Sequence, residues 1–116
     1  LGFRKDMPSL IRQAHLHVLL SRNEGMAKVL LEAAASGVPN LCTPEAGLPP
    51  DAEGTLFISD RNCEDEVCAA IEACYLDTAA TARLGLAARR MVEQRFGWAA
   101  FRSRFMQAVT EASRTK

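Results

Sequence analysis

Two glutamates, Glu24 and Glu32, stand eight positions apart in "NEGMAKVLLEAAASGVPN", residues 23 to 40, which is otherwise mostly apolar or small. Along an α-helix, eight residues correspond to about 12 Å of rise and about 80° of rotation, so both carboxylates would lie on one face, two turns apart. They could contact two ends of one elongated ligand. Lys28 lies midway, however, and the three residues could instead form an i,i+4 ion-pair ladder worth about a few tenths of a kcal/mol per pair. Spacing alone favours the ladder.

The surroundings of the two glutamates favour a ligand. Apolar residues at 29–31 and 33–35 cover most of the helix circumference, so this helix must pack on several sides. Glu24 and Gly25 follow an apolar strand and therefore stand at the carboxyl edge of a parallel sheet, where open α/β folds bind their ligands. The free N–H groups of the first helical turn favour a phosphate there, and Gly25 lets a ligand approach the backbone closely.

Short apolar runs alternate with helical patterns in the first half of the chain. The runs "LGF", "LHVLLS", "NLCT" and "TLFIS" have the length and composition of buried strands. A helix at "DMPSLIRQA" opens with Asp6 as its cap and an early Pro8, and the next helix ends at Gly37 with Pro39 beyond it. The alternation predicts an α/β fold, with a parallel sheet built from right-handed βαβ units and helices on its faces.

Three amphipathic helices are predicted after Ser59. The first is capped by Asn62, the second covers about residues 78 to 95, and the third runs from 97 to 113. The inner stripe of the first consists of Val67, Ile71, Cys74 and Tyr75. That of the second consists of Leu84, Ala87, Ala88, Met91 and Val92. The aromatic stripe of the third, Trp98, Phe101 and Phe105, is expected in the core, or against a further domain.

Composition and charge exclude several classes of protein. The chain has 116 residues, of which 48% are apolar and 24% charged, as in one ordinary globular domain. Lys and Arg together number 14, as do Asp and Glu, so no net charge attracts nucleic acid or an anionic membrane. The sequence shows neither a membrane-spanning apolar run nor a leader, and we expect a soluble, cytoplasmic protein.

The cysteines and histidines indicate no metal site. The four cysteines fit neither a paired zinc pattern nor a disulfide framework, and we expect buried or semi-buried free thiols. They are Cys42, Cys63, Cys68 and Cys74. His15 and His17 lie two apart on a predicted strand and would face the same side. Two ligands do not complete a zinc site, so ordinary, partly exposed strand histidines are expected.

At the glutamate motif the sequence resembles the retaining glycosyltransferases of the GT-B fold, of the group 1 or family 4 type. Their donor-binding C-terminal domain carries a signature of the form "SRxEGxxxxLLEAxAxGxP", which "SRNEGMAKVLLEAAASGVP" fits throughout. "LGFRKDMPSLIRQAHLHVLLS", "LCTPEAGLPPD" and "RLGLAARRMVEQRFGWAAFRSRF" resemble the flanking segments. The resemblance implies a Rossmann-like parallel sheet with flanking helices, followed by three C-terminal helices.

The resemblance also implies roles for particular residues. Glu24 and Glu32 would be the two glutamates of the family's E-x7-E motif, with Glu24 the catalytic residue beside the donor hexose and Glu32 bound to the ribose hydroxyls. The backbone amides of Gly25, Met26 and Ala27 would face the sugar and the diphosphate. The "PEAGLPP" loop departs from the commoner "GGxPE" order of the family.

The implied reaction transfers a sugar from a nucleoside diphosphate sugar to an acceptor hydroxyl, on a saccharide or a lipid-linked molecule, with retention and without a metal or other cofactor. Residues 1–116 would be a single-domain fragment of the donor-binding domain. The N-terminal acceptor domain and the early part of the donor domain would be absent, so the fragment would be inactive alone, and the full-length enzyme could associate peripherally with a membrane. Two alternatives stay open, a nucleotide-sugar epimerase fragment and a non-enzymatic α/β interaction or nucleotide-binding module in which the charges form only a surface ladder.

Overall fold

The computed structural model of the chain describes residues 5–22, 28–60 and 62–114 and confirms the α/β prediction. A short 3₁₀ turn, Pro44–Ala46, lies between the second and third strands. The other elements, in chain order, are α1 (Met7–Gln13), β1 (His17–Leu19), α2 (Lys28–Ala35), β2 (Asn40–Cys42), β3 (Thr55–Phe57), α3 (Glu64–Leu76), α4 (Thr78–Arg95) and α5 (Trp98–Arg114). The predicted "LGF" strand lies outside the described residues.

The described strands form one parallel sheet in the order β1-β2-β3. Leu19, Cys42 and Phe57 stand side by side at the carboxyl ends of the three strands. Because the strands are parallel, the segments that follow them leave the sheet at the same edge. Helix α2 comes next in the chain after β1, and its described part begins at Lys28.

Helix α2 is held by its small and apolar residues. Leu30, Ala33 and Ala34 are fully buried, and the helix packs against both the sheet and α4. Leu30 is part of the core cluster, and burying a leucine side chain contributes roughly 1.5 to 3 kcal/mol. The buried members of this cluster are Leu30, Cys42, Ala46, Leu48, Ala52 and Met91.

The C-terminal end of α2 confirms the predicted glycine cap. Gly37 has φ 78°, in the left-handed region, and its N–H donates to the Ala34 carbonyl at 3.0 Å. The Val38 N–H donates to the Ala33 carbonyl, also at 3.0 Å. These two hydrogen bonds are those of a Schellman motif, which satisfies carbonyls that the helix itself leaves without donors.

Helix α4 matches its predicted range and its predicted inner side. Ala88 and Met91 are buried, and Leu84, Ala87 and Val92 are half-buried. Thr81 and Gly85 are also buried on this side.

The predictions for α3 are wrong in two respects. The helix begins at Glu64 with Cys63 as its N-cap residue, whereas the backbone N–H of Asn62 donates to the Asp60 carboxylate. In the inner stripe, Ile71 and Tyr75 are exposed whereas Val67 and Cys74 are half-buried, so the described elements cover this face of the helix only in part.

The prediction that the aromatic stripe of α5 lies in the core is also wrong for the side chains that the structure describes. Trp98 is 76% exposed and Phe105 is 57% exposed. Helix α5 packs against α4, but the side chains from Arg102 to Arg114 all remain exposed. Helical periodicity therefore identified an apolar face correctly but not its exposure to solvent.

Candidate functional site

Glu32 lies in the second half of α2 with its side chain partly open to solvent. The side chain is 49% exposed, and one carboxylate oxygen lies 4.0 Å from Lys28 Nζ. This contact is the Lys28–Glu32 rung of the ladder predicted from spacing. Because Lys28 is 89% exposed and the distance is long, the pair contributes well under about 1 kcal/mol. The carboxylate can therefore leave the lysine for a better partner.

A cavity of about 410 Å³ opens between α1 and α2 beside Glu32. Helix α1 contributes Met7, Pro8 and Ile11, and α2 contributes Glu32, with Ala35 and Ser36 at and just beyond its end. The wall is thus mostly apolar and holds one carboxylate and one hydroxyl. Such a lining suits a ligand with an apolar or aromatic part and a polar part bearing hydroxyl groups.

The cavity lies between the helices on either side of β1 in the chain. Helix α1 precedes β1 and packs against α2, which follows β1. The first residues of α1, Met7 and Pro8, face the second half of α2, including Ala35 and Ser36 at and just beyond its end. Sequence reasoning found Glu32 but missed the α1 side of the cavity, although Asp6 and Pro8 had indicated that a helix begins there.

The other predicted site residues lie outside the described residues. They are Glu24, Gly25, Met26 and Ala27. The described chain reaches Arg22 on one side of them and resumes at Lys28 on the other, at the junction between β1 and α2. Their predicted roles remain predictions.

A second, polar cavity of about 210 Å³ lies where β2 and β3 end. It is lined by Thr43, Glu45, Ser59, Asp60 and Asn62. The Thr43 hydroxyl donates to the Ser21 carbonyl at 2.6 Å, which ties the segment after β2 to the segment after β1. This bond holds the carboxyl edge of the sheet together next to the start of α2.

Glu66 shapes the same edge from α3. Its carboxylate accepts from the Ser59 backbone N–H at 2.7 Å, from the Ser59 hydroxyl at 2.9 Å and from the Asp60 backbone N–H at 3.2 Å. The Ser59 hydrogen bonds hold the pKa of the Glu66 carboxyl below its ordinary value, because they favour the charged form. The sequence analysis did not identify this role of Glu66.

The "PEAGLPP" loop is packed into the core. Ala46 and Leu48 belong to the core cluster, and Gly47 between them has φ 93°, which favours glycine. The loop also borders the polar cavity, through Glu45. Its departure from the "GGxPE" order is thus accompanied by apolar packing against α2 and α4.

The cysteines and histidines differ in part from expectation. Cys42 is buried, which raises the pKa of its thiol to about 11, and Cys63 and Cys74 are half-buried free thiols. Cys68 is exposed, contrary to prediction, because it lies on the open side of α3. His17 is a half-buried residue of β1, whereas His15 lies before the strand and is exposed. Among the described side chains, no three of the metal-binding types come together as a ligand set.

Comparison with solved structures identifies a similar fold. The chain superposes on the crystal structure of Anabaena Alr3699/HepE in complex with UDP with a TM-score of 0.82 and 24% sequence identity. The match covers 96% of this chain and 31% of the HepE chain, so these residues span about a third of that protein. No curated protein matches the sequence. None of the described helices has the length and apolar character needed to cross a membrane.

Comparison with protein families covers the part of the chain that builds the sheet and both cavities. The model described as "Glycosyl transferases group 1" matches residues 1–77, from the first residue to the end of α3. This range includes the whole glutamate motif and the three parallel strands. The chain therefore belongs to the group 1 glycosyltransferases.

Proposed function

We propose that this chain is the donor-binding part of an enzyme that transfers a sugar from a nucleoside diphosphate sugar to an acceptor hydroxyl, with retention at the anomeric carbon. The observation that carries the proposal is the position of Glu32 in the wall of the cavity between α1 and α2. Membership of the family supports sugar transfer, and the UDP of the HepE structure supports a nucleoside diphosphate as part of the donor.

The cavity suits the nucleoside half of such a donor. A carboxylate accepts hydrogen bonds from two vicinal hydroxyls, which is the arrangement on a ribose ring. The Glu32 carboxylate stands beside apolar side chains of α1, Met7, Pro8 and Ile11, against which a flat base can pack. We therefore assign the ribose to Glu32 and the base to the α1 side.

The diphosphate and the sugar would then extend towards the start of α2. The amides of Gly25, Met26 and Ala27 are proposed to donate to the diphosphate and the sugar, since helix N-termini favour anions. Glu24, eight residues before Glu32 in the sequence, is proposed as the catalytic carboxylate beside the transferred sugar. In this scheme catalysis rests on positioning the donor and on stabilising the leaving diphosphate, without a metal ion.

The acceptor site is proposed to belong to a part of the enzyme outside these residues. The chain spans 31% of HepE, and the exposed side chains of α5 include large apolar residues. They are Trp98, Phe105, Met106 and Val109. An exposed apolar face of this kind is typical of a surface that another domain or partner covers. We propose that residues 1–116 are a fragment of the donor-binding domain and that α5 packs against the rest of the enzyme.

Replacing Glu32 tests the assignment. In the complete gene product, Glu32→Ala is expected to weaken binding of a nucleoside diphosphate by about 1 to 3 kcal/mol, because the ribose hydroxyls lose their acceptor. Glu32→Gln is expected to weaken binding less, because its amide keeps one acceptor oxygen and replaces the other with an NH₂ donor. UDP, GDP and ADP are titrated by calorimetry, and the tightest binder is compared across variants. Lys28→Ala is the matched control, since it removes the ion-pair partner but not the proposed ligand.

The surface-ladder interpretation makes the opposite prediction. If Glu32 only pairs with Lys28, then Glu32→Ala and Lys28→Ala lower the stability of α2 by similar small amounts and neither changes nucleotide affinity. The observed Lys28–Glu32 contact favours this second candidate function, a non-enzymatic interaction module. Equal affinities for wild type and Glu32→Ala would favour the surface-ladder interpretation and contradict the assignment of the ribose to Glu32.

A further inference from the structure

A polar row crosses the otherwise apolar sheet beneath α2 and α4. His17, Asn40 and Thr55 are the first residues of the three strands and stand side by side in register. Asn40 is fully buried, and the Thr55 hydroxyl oxygen is buried without a hydrogen-bond partner among the described residues. Buried strands of a parallel sheet are normally apolar, because a buried polar side chain costs free energy unless it is hydrogen-bonded.

Asn40 uses both ends of its amide. Its Nδ2 donates to the Leu30 carbonyl oxygen of α2 at 2.9 Å, and its Oδ1 lies 2.9 Å from His17 Nδ1. The first bond fixes the orientation of the amide, because only the NH₂ end can donate to a carbonyl. Oδ1 must then accept from His17, so the His17 ring carries its proton on Nδ1. The hydrogen bond from His17 thereby fixes the Asn40 side chain, and the hydrogen bond from Asn40 fixes the position of α2 on the sheet.

The Leu30 carbonyl is close to the proposed ligand-binding side chain. Leu30 lies two residues before Glu32, and its side chain is fully buried. The core contacts of the α2 side chains are apolar, since Leu30, Ala33 and Ala34 are buried and Val29 and Leu31 pack against the core cluster. Hydrophobic attraction of this kind is itself non-directional. A hydrogen bond from a strand to a helix carbonyl does have a direction, so it opposes rotation and sliding of α2 on the sheet.

Small movements of α2 would matter for binding. Side-chain ends lie about 5 to 6 Å from a helix axis, so a rotation of roughly 15° displaces a carboxylate by about 1.5 Å. Displacements of about 1 Å in a positioning group can reduce activity by on the order of 100-fold.

We propose that Asn40, held by His17, is a positioning residue that fixes α2 so that Glu32 meets the ribose of the nucleotide. This inference rests on the proposed function. Asn40 itself would not contact the ligand. The proposal predicts that nucleotide affinity nevertheless depends on this buried side chain on the sheet side of α2.

The test measures nucleotide affinity of Asn40→Leu in the complete gene product, at a temperature where the variant is folded. Leucine has a similar volume and removes both hydrogen bonds, and we expect affinity for the tightest of UDP, GDP and ADP to fall on the order of 10-fold. His17→Phe keeps a ring but loses the donor, so a smaller decrease is expected. Asn40→Asp restores an acceptor for His17 but sets a carboxylate oxygen against the Leu30 carbonyl, so it should not rescue binding.

Two controls separate positioning from stability. Thr55→Val removes a buried hydroxyl from the same row, and it should leave affinity unchanged because that hydroxyl has no hydrogen-bond partner among the described residues. Ile58→Ala removes buried volume just beyond β3 and should lower the melting temperature without changing affinity. Equal loss of affinity in Ile58→Ala and Asn40→Leu would show a general effect of lowered stability and would overturn the proposal.

An independent readout is the His17 tautomer. Long-range ¹H–¹⁵N spectra of histidine-labelled protein, recorded where the ring is neutral, should show the proton on Nδ1 in wild type and lose that preference in Asn40→Leu. A proton on Nε2 in wild type would contradict the hydrogen bond from which the inference starts.

The outcomes distinguish the two proposals. If wild type binds a nucleotide, Glu32→Gln weakens binding and Asn40→Leu does not, the positioning role is wrong and the proposed function stands. If wild type binds none of the three nucleotides, the proposed function is wrong, and the positioning role fails with it.

Discussion

At the scale of single residues, two glycines allow α4 to approach the end of α2 closely. Gly85 of α4 lies against the Gly37 carbonyl oxygen at the end of α2, and a Cβ added at Gly85 would overlap that oxygen. At Gly37 the limit is conformational instead, because its φ is 78° and a Cβ there would meet no atom within 4 Å. Gly85 has no room for a side chain, whereas Gly37 has a backbone conformation that disfavours residues other than glycine.

The sign of the change in unfolding free energy caused by Gly85→Ala tests the close approach of α4 to the end of α2. In an exposed helix interior, alanine is more stable than glycine by about 0.5 to 1 kcal/mol. Here we expect a destabilisation of about 1 to 3 kcal/mol, since a backbone carbonyl cannot yield without moving α2 away from α4. The measurement is the free energy of unfolding in urea.

The matched control for this substitution is Ala82→Gly at an exposed position of α4. It should destabilise by about 1 kcal/mol through helix propensity alone. A stabilising effect of Gly85→Ala would contradict the packing of α4 on the end of α2.

At the scale of elements, the strands and most helix ends were predictable. The strands lie in short, mostly apolar runs, of which β2 is buried and β1 and β3 are mostly half-buried, and Gly37 with Pro39 marks the end of α2. The start of α3 was not predictable from Asn62, because Glu66 reaches back to Ser59 and the backbone there turns before the helix begins. This contact depends on the position of Ser59 after β3 relative to α3, and the local sequence does not determine that position.

The Glu66 hydrogen bonds predict a pH dependence of stability. The folded state lowers the pKa of this carboxyl, so its contribution is fully present above the ordinary value of 4.5. It is lost as the pH falls from there through the lower, folded-state pKa. The difference in unfolding free energy between wild type and Glu66→Gln should therefore shrink over this acidic range.

The control for this titration is Glu64→Gln, which removes a charge from the same first turn and leaves the Glu66 hydrogen bonds in place. Unfolding free energies are compared at neutral pH and across the acidic range. A constant difference between wild type and Glu66→Gln at all pH values would contradict the role of the carboxylate as acceptor for Ser59.

At the scale of the whole molecule, amphipathic periodicity predicted that α3 and α5 have apolar faces but not whether those faces are covered. Tyr75 of α3 and Trp98 of α5 are both largely exposed. The burial of α4 was predicted correctly because its partner, α2, lies within the same chain. A sequence pattern states which face avoids water, and only the full set of neighbours decides what covers it.

The candidate site was predictable in part for the same reason. Glu32 could be found because a charged residue interrupts an apolar helix, and the family signature assigned it a ligand. The α1 wall of the cavity and the Asn40 hydrogen bonds join elements that are distant in the sequence. An asparagine at the start of an apolar strand, in "GVPNLC", was the one local signal that a polar contact lies beneath α2.

The most direct test of whether the cavity between α1 and α2 binds the donor is a crystal structure of the complete gene product with its tightest-binding nucleoside diphosphate. We predict the ribose hydroxyls within about 2.6 to 3.2 Å of the Glu32 carboxylate oxygens, and the base against Met7 and Pro8. The diphosphate should lie at the start of α2. A nucleotide bound elsewhere, with Glu32 still paired to Lys28, would contradict the assignment of this cavity to the donor.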